Sequence, residues 1–130
     1  MVLSIRGEMK ENLLKAKSML LAIRIVNLYK YLRDVKQEYV ISKQLLCTGT
    51  SIGANISEAI YAESHADFIH KYSISQKECS ETGFWLELLY NTNYMKEDEF
   101  CSINEDCIEM QKLLASTLLS LKNHPQIPNT

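Results

Sequence analysis

Phe68, Tyr72, Ser75, Cys79, Thr82, Leu86 and Leu89 follow one another at alternating intervals of four and three residues. Such a line stays on one face of an α-helix for about six turns, and a strand or loop has no use for it. Its ends are bulky and its middle is small and polar, so a neighbouring helix can come closest near Ser75 and Cys79. The same stepping recurs in Ile103, Cys107, Met110, Leu114, Thr117 and Leu121. A near-heptad stripe runs through Leu14, Leu21, Ile25, Leu28, Leu32 and Val35, and Leu45, Gly49, Ile52, Ile56 and Ala59 share a further face. Breakers hardly interrupt these patterns. The chain has four Gly and two Pro in 130 residues, and Pro125 and Pro128 both lie near its end.

The periodicity predicts helices over about residues 13–35, 38–60, 65–91 and 98–122, within a single domain spanning 1–130 that ends in a frayed tail, 123–130. Ser64 and Asp67 have the spacing of a capping box, which starts the third helix. The fourth helix has two candidate starts, a second box at Ser102 and Glu105 or an earlier turn at Glu97–Phe100. Links this short force consecutive helices to be antiparallel. The expected fold is all-α, an up-down-up-down four-helix bundle.

The second helix contains Gly49-Thr50-Ser51-Ile52-Gly53-Ala54-Asn55-Ile56-Ser57-Glu58-Ala59. Each Gly in a helix interior costs about 1 kcal/mol relative to Ala. Gly49 and Gly53, with Ser75 and Cys79 on the third helix, are therefore expected where helices approach closely. Asn55, Glu58, Glu78 and Glu81 flank this zone and are candidate buried polar groups. Buried carboxylates need donors, because an unpaired buried charge is costly. Lys77, Arg24 and Arg33 are the candidates.

Net charge is −2, but residues 1–43 hold nine Lys/Arg against four Asp/Glu, and residues 44–130 hold five against twelve. The division predicts charge pairing within one chain or between subunits, or a partner surface. Lys15, Lys17, Arg24, Lys30 and Arg33 form the candidate basic partner face, with Tyr29 and Tyr31 among them. RNA or a nucleic-acid-processing enzyme is one partner class for such a face. A pI near 5.9 weighs against a dedicated phosphate binder. A second apolar stripe, Leu13, Ala16, Leu20 and Ile23, runs beside the first. One seam cannot hide both stripes, so a homo-oligomer with the first helix at its interfaces is expected.

Chemistry is conspicuous by its missing parts. A di-iron bundle needs two Glu-x-x-His pairs, and the nearest approach is Asp67-x-x-His70. Helical ribonucleases of the HEPN type use an Arg followed closely by a His, but His65, His70 and His124 have no Arg in the six residues before them. Ser51, Ser57 and Ser75 have no His at helical spacing to activate them. The glycines lie within a helix rather than between strand and helix, unlike a phosphate loop. Cys47, Cys79, Cys101 and Cys107 form no C-x-x-C pair and read as reduced, partly buried thiols. No catalytic, cofactor-binding or metal site is predicted, and the chain is read as a non-enzyme. Without an apolar run of membrane length or a signal-peptide core in residues 1–12, a cytoplasmic location away from membrane is expected.

A resemblance covers most of the chain. It runs through Ile25-Val26-Asn27-Leu28-Tyr29-Lys30-Tyr31-Leu32, Ser42-Lys43-Gln44-Leu45-Leu46, Thr50 to Ala59, Asp67-Phe68-Ile69, Lys77-Glu78 and Glu81 to Leu89. The central Ser-Ile-Gly-Ala-Asn-Ile segment is its most specific part. These residues resemble the four-helix bundle family first read from intervening sequences inside bacterial large-subunit ribosomal RNA genes. The family is related to the accessory subunit of diversity-generating retroelements, which binds a reverse transcriptase and nucleic acid through a basic surface. The resemblance implies an antiparallel bundle assembled into a ring, a pentamer, with no enzymatic activity attached. At Cys47 the chain departs from the pattern, since relatives commonly carry Arg after Gln-Leu-Leu.

Overall fold

The computed structural model describes residues 5–123. Four helices account for almost all of them: α1 Ile5–Asp34, α2 Ile41–Ala59, α3 His65–Asn91 and α4 Glu97–Asn123. α1 packs on α2, α2 on α3, α3 on α4, and α4 back on α1, with no diagonal pair in contact among the described residues. The architecture is an antiparallel up-down four-helix bundle.

Each helix buries one line of side chains. In α3 the buried residues are the seven of the four-three line, Phe68 to Leu89. α4 buries Ile103, Cys107, Met110, Leu114, Thr117 and Leu118, with Leu121 partly covered. From α1 come Leu14, Leu21, Ile25 and Leu32, and from α2 Leu45, Ile52, Ile56 and Ala59. Together they form a continuous core.

The ends differ in part from expectation. α1 begins at Ile5 rather than near residue 13, about two turns earlier, and stops at Asp34. Val35 is thus beyond the helix and 64% exposed, not on the core stripe. α2 starts at Ile41 rather than residue 38. α4 starts at Glu97, so Ser102 and Glu105 do not cap it. Acidic residues Glu97, Asp98 and Glu99 fill its first turn, where the helix dipole favours them. At α3 the Ser64 Oγ accepts from the Asp67 N–H at 3.0 Å, and the Asp67 carboxylate accepts from the Glu63 N–H at 3.1 Å. The return bond of the box therefore reaches one residue further back. His124 and the expected frayed tail lie outside the described residues, apart from Asn123, which ends α4.

Two of the three turns between helices use a left-handed residue. Asn93 has φ 69° and closes α3 with Asn93 N–H to Tyr90 O (3.0 Å) and Tyr94 N–H to Leu89 O (2.9 Å). That is the Schellman arrangement, and Asn tolerates its conformation. Gln37, φ 55°, lies in the turn between α1 and α2, where the Glu38 N–H reaches back to Leu32 O at 2.9 Å.

Candidate functional site

The expected small-residue seam exists, but its members face different partners. A Cβ on Gly49 would stand 2.8 Å from both γ carbons of Ile25 on α1. On Gly53 it would stand 3.1 Å from Ser18 Oγ. The two glycines therefore admit α1, not α3. Ser75 serves the α2–α3 seam, where its Oγ donates to the Ile52 carbonyl at 2.8 Å. Thr82 Oγ1 donates to Thr48 Oγ1 across the same seam at 3.1 Å. Cys79 faces α4 instead, with its sulfur 3.9 Å from that of Cys107. These polar side chains are small enough to bury and each finds a partner, so the seam costs little in desolvation.

The expected buried acids are a correction. Glu58 and Glu81 are exposed and Glu78 is only half-buried, and none pairs with a cation or hydroxyl among the described residues. Burial, and then the Glu81 charge, push the Glu78 carboxyl above its ordinary range. Asn55 is half-buried and spends its amide within α2, donating to Ser51 O at 2.8 Å. Among the described residues the buried carboxylate is Glu38, 8% exposed. It accepts from the backbone N–H groups of Val40 and Ile41 at 3.1 Å and of Ser42 at 2.6 Å, and so caps α2. Burial alone would raise its pKa, but these donors outweigh it and hold the carboxyl below the usual range. Placing the helix start at residue 38 hid this role. The signal for it was an acid just before a helix whose first turn has none.

The candidate basic face divides in two. Lys17 pairs with Glu109 on α4. Arg24 donates to Asp106 Oδ2 at 2.7 Å, Ser102 Oγ at 2.9 Å and the Ser102 carbonyl at 3.3 Å. Lys10, on the same flank, donates to Ser116 Oγ at 2.7 Å. The charge division is thus partly answered within one chain. Arg33 pairs with adjacent Asp34 and lies 5.3 Å over the Tyr29 ring. Lys15 and Lys30 remain exposed. A groove of about 440 Å³ runs between α1 and α4, lined by Arg24, Asn27, Leu28, Met95, Ser102 and Ile103.

The outward face of α1 is apolar. Met9 is 67% exposed, Leu13 41%, Leu20 63% and Ile23 49%. With exposed Ala16 they step four, three, four, three along the side opposite the core, and Met19 flanks them. No charge interrupts the line.

No group of three or more His, Cys, Asp or Glu suited to a metal occurs among the described residues. No helix there is long and apolar enough to cross a membrane.

A family model described as 23S rRNA-intervening sequence protein matches residues 10–116, from the second turn of α1 into α4. The chain belongs to that family. A crystal structure of a protein with unknown function from the S23 ribosomal protein family of Bacteroides thetaiotaomicron is similar to it. The two are 53% identical, the match covers 85% of this chain and 98% of that one, and the TM-score is 0.83. No curated protein matches the chain. Family membership and the bundle thus agree, and neither assigns a reaction or a partner.

Proposed function

We propose that this protein is a non-enzymatic, self-assembling bundle that acts in the cytoplasm as an assembly or adaptor unit, its first recognition partner being a second copy of itself. The observation that carries this reading is the uncharged outward line Met9, Leu13, Ala16, Leu20 and Ile23 on α1. A regular apolar stripe opposite the core has no role in a solitary bundle, and contiguous exposed apolar surface marks an interaction site. Covering four large side chains that are now about half exposed contributes on the order of 1 kcal/mol each. A head-to-tail contact repeated around an axis closes into a ring. Five copies is the order that the family resemblance implies.

An adaptor role toward RNA or a nucleic-acid-processing enzyme has weaker support. Lys17 and Arg24 are engaged with α4 acids and Arg33 with Asp34, which leaves Lys15 and Lys30 as the cations of the candidate face without an ion pair among the described residues. Light scattering at micromolar concentration tests the reading. The expected mass is five times the 15.0 kDa chain. A dimer would remove the ring and a monomer the whole proposal. Adding RNA at several salt concentrations tests the adaptor role, since phosphate binding weakens steeply with salt.

A further inference from the structure

The structure brings together two thiols that belong to no C-x-x-C motif. Cys79 on α3 and Cys107 on α4 are 0% and 3% exposed. Their sulfurs stand 3.9 Å apart. Each thiol also points at the other residue's backbone carbonyl, Cys79 Sγ to Cys107 O at 3.4 Å and Cys107 Sγ to Cys79 O at 3.5 Å. The two side chains therefore face each other at one level of the α3–α4 seam. A disulfide requires sulfurs about 2 Å apart, so closure asks for an approach of about 2 Å. Gly83, one turn along α3, brings no side chain against Cys107, and even an added Cβ there would lie 3.9 Å from its sulfur. The local packing leaves slack on that side.

We propose that Cys79 and Cys107 are a redox-active dithiol that hydrogen peroxide closes into a disulfide joining α3 to α4. The inference rests on the packing of α3 against α4 and is independent of the assembly reading. The hydrogen bond from Cys79 favours the Cys107 thiolate and lowers its pKa against the effect of burial. Cys79 is correspondingly pushed up, first by that hydrogen bond and then by burial. The contacts of the two thiols match, so the step is the same from either sulfur, here Cys107. Its thiolate displaces hydroxide from peroxide and becomes a sulfenic acid, and the hydroxide takes up the proton that Cys107 released. The Cys79 sulfur then attacks the sulfenic sulfur. The S–S bond forms, the S–O bond breaks, and water leaves with the Cys79 proton. Two thiols lose two electrons in all, and peroxide is reduced to two waters. Exposed Cys47 and Cys101 sit elsewhere on the surface and oxidise separately.

The bond would close a loop between positions 28 residues apart and raise the melting temperature by roughly 10 °C. The test uses the full chain carrying Cys47→Ser and Cys101→Ser, two exposed positions whose replacement leaves the core intact. The Cys101 change also frees the 97–112 tryptic peptide of its second thiol. The protein is treated with hydrogen peroxide in its native state, alkylated after denaturation and digested. The expected results are a loss of two hydrogen masses, a linked pair of peptides 78–96 and 97–112, and a higher melting temperature that dithiothreitol reverses. Adding Cys79→Ala should abolish the link and the thermal gain together. Oxygen added to either sulfur without linkage would overturn the proposal, as would two thiols still free after the exposed cysteines of the unaltered protein have reacted.

Discussion

α1 meets its two neighbours in different ways. Against α2 it is held by shape: Ile25 fills the space over Gly49, and Ser18 the space over Gly53. Against α4 it is held along its flank by partly exposed polar pairs, Arg24 with Asp106 and Lys17 with Glu109, beside an open groove. The first seam depends on the absence of a few atoms and has little tolerance. Ion pairs as exposed as those of the second typically contribute between nothing and about 1 kcal/mol. The contrast indicates that the α1–α2 hairpin sets the register of α1, while the α4 side orients it and leaves it accessible.

The strongest attack on this contrast is Gly49→Leu. The Cβ alone would meet Ile25 at 2.8 Å, and overpacking of this kind costs roughly 3 kcal/mol. Denaturant unfolding should show a large loss, and an unchanged midpoint would remove the tight seam from the account. Next in size is Glu38→Ala, which strips the cap from α2 where the chain leaves α1. The loss should be about 2 kcal/mol at neutral pH. The Glu38 carboxyl lies below its ordinary 4.5 in the fold. Its contribution is therefore fully present above pH 4.5 and lost as pH falls through the lower folded value. Wild type and variant should differ above that range and converge below it. A difference independent of pH would show that the carboxylate is not the cap.

Gly83→Ala sharpens the comparison by its sign. Its Cβ would meet only Cys107 Sγ, at an ordinary 3.9 Å, so helix propensity should dominate and stabilise by roughly 0.5–1 kcal/mol. A loss instead would mean that glycines are needed at more than the α1 seam. The smallest effect is expected from Asp106→Asn on the ionic side, under about 0.5 kcal/mol and shrinking with salt. A loss comparable to that of Gly49→Leu would reverse the ranking of the two seams.

The bundle was legible because its core lines are unbroken. The seven positions spaced four and three from Phe68 to Leu89 are the buried residues of α3. Helix ends were harder to read. The opening turns of α1 mix Glu8, Lys10 and Glu11 with apolar residues, so periodicity fades before the helix does. Glu97, Asp98 and Glu99 look like loop but suit a helix N-terminus. Contact partners were the least legible. Acids near a small-residue zone gave no sign of which way they turn, and Glu58 and Glu81 are exposed while Glu78 is half-buried. The thiol pair left a trace that could have been used. Cys79 and Cys107 are both on core lines and lie equally far from Asn93, fourteen residues on either side, where the α3–α4 hairpin turns. Positions symmetric about an antiparallel turn meet at one level.

The outward stripe of α1 carries the central claim, and the native mass of a stripe variant tests it most directly. Leu13→Glu with Leu20→Glu changes two positions that are 41% and 63% exposed in the single chain. Neither contributes to the core, so helix content and the intramolecular packing should persist. Light scattering of wild type and variant at equal micromolar concentration should give a multiple of 15.0 kDa for the first and 15.0 kDa for the second. A wild type of 15.0 kDa, or a folded variant that keeps the wild-type mass, would contradict the account.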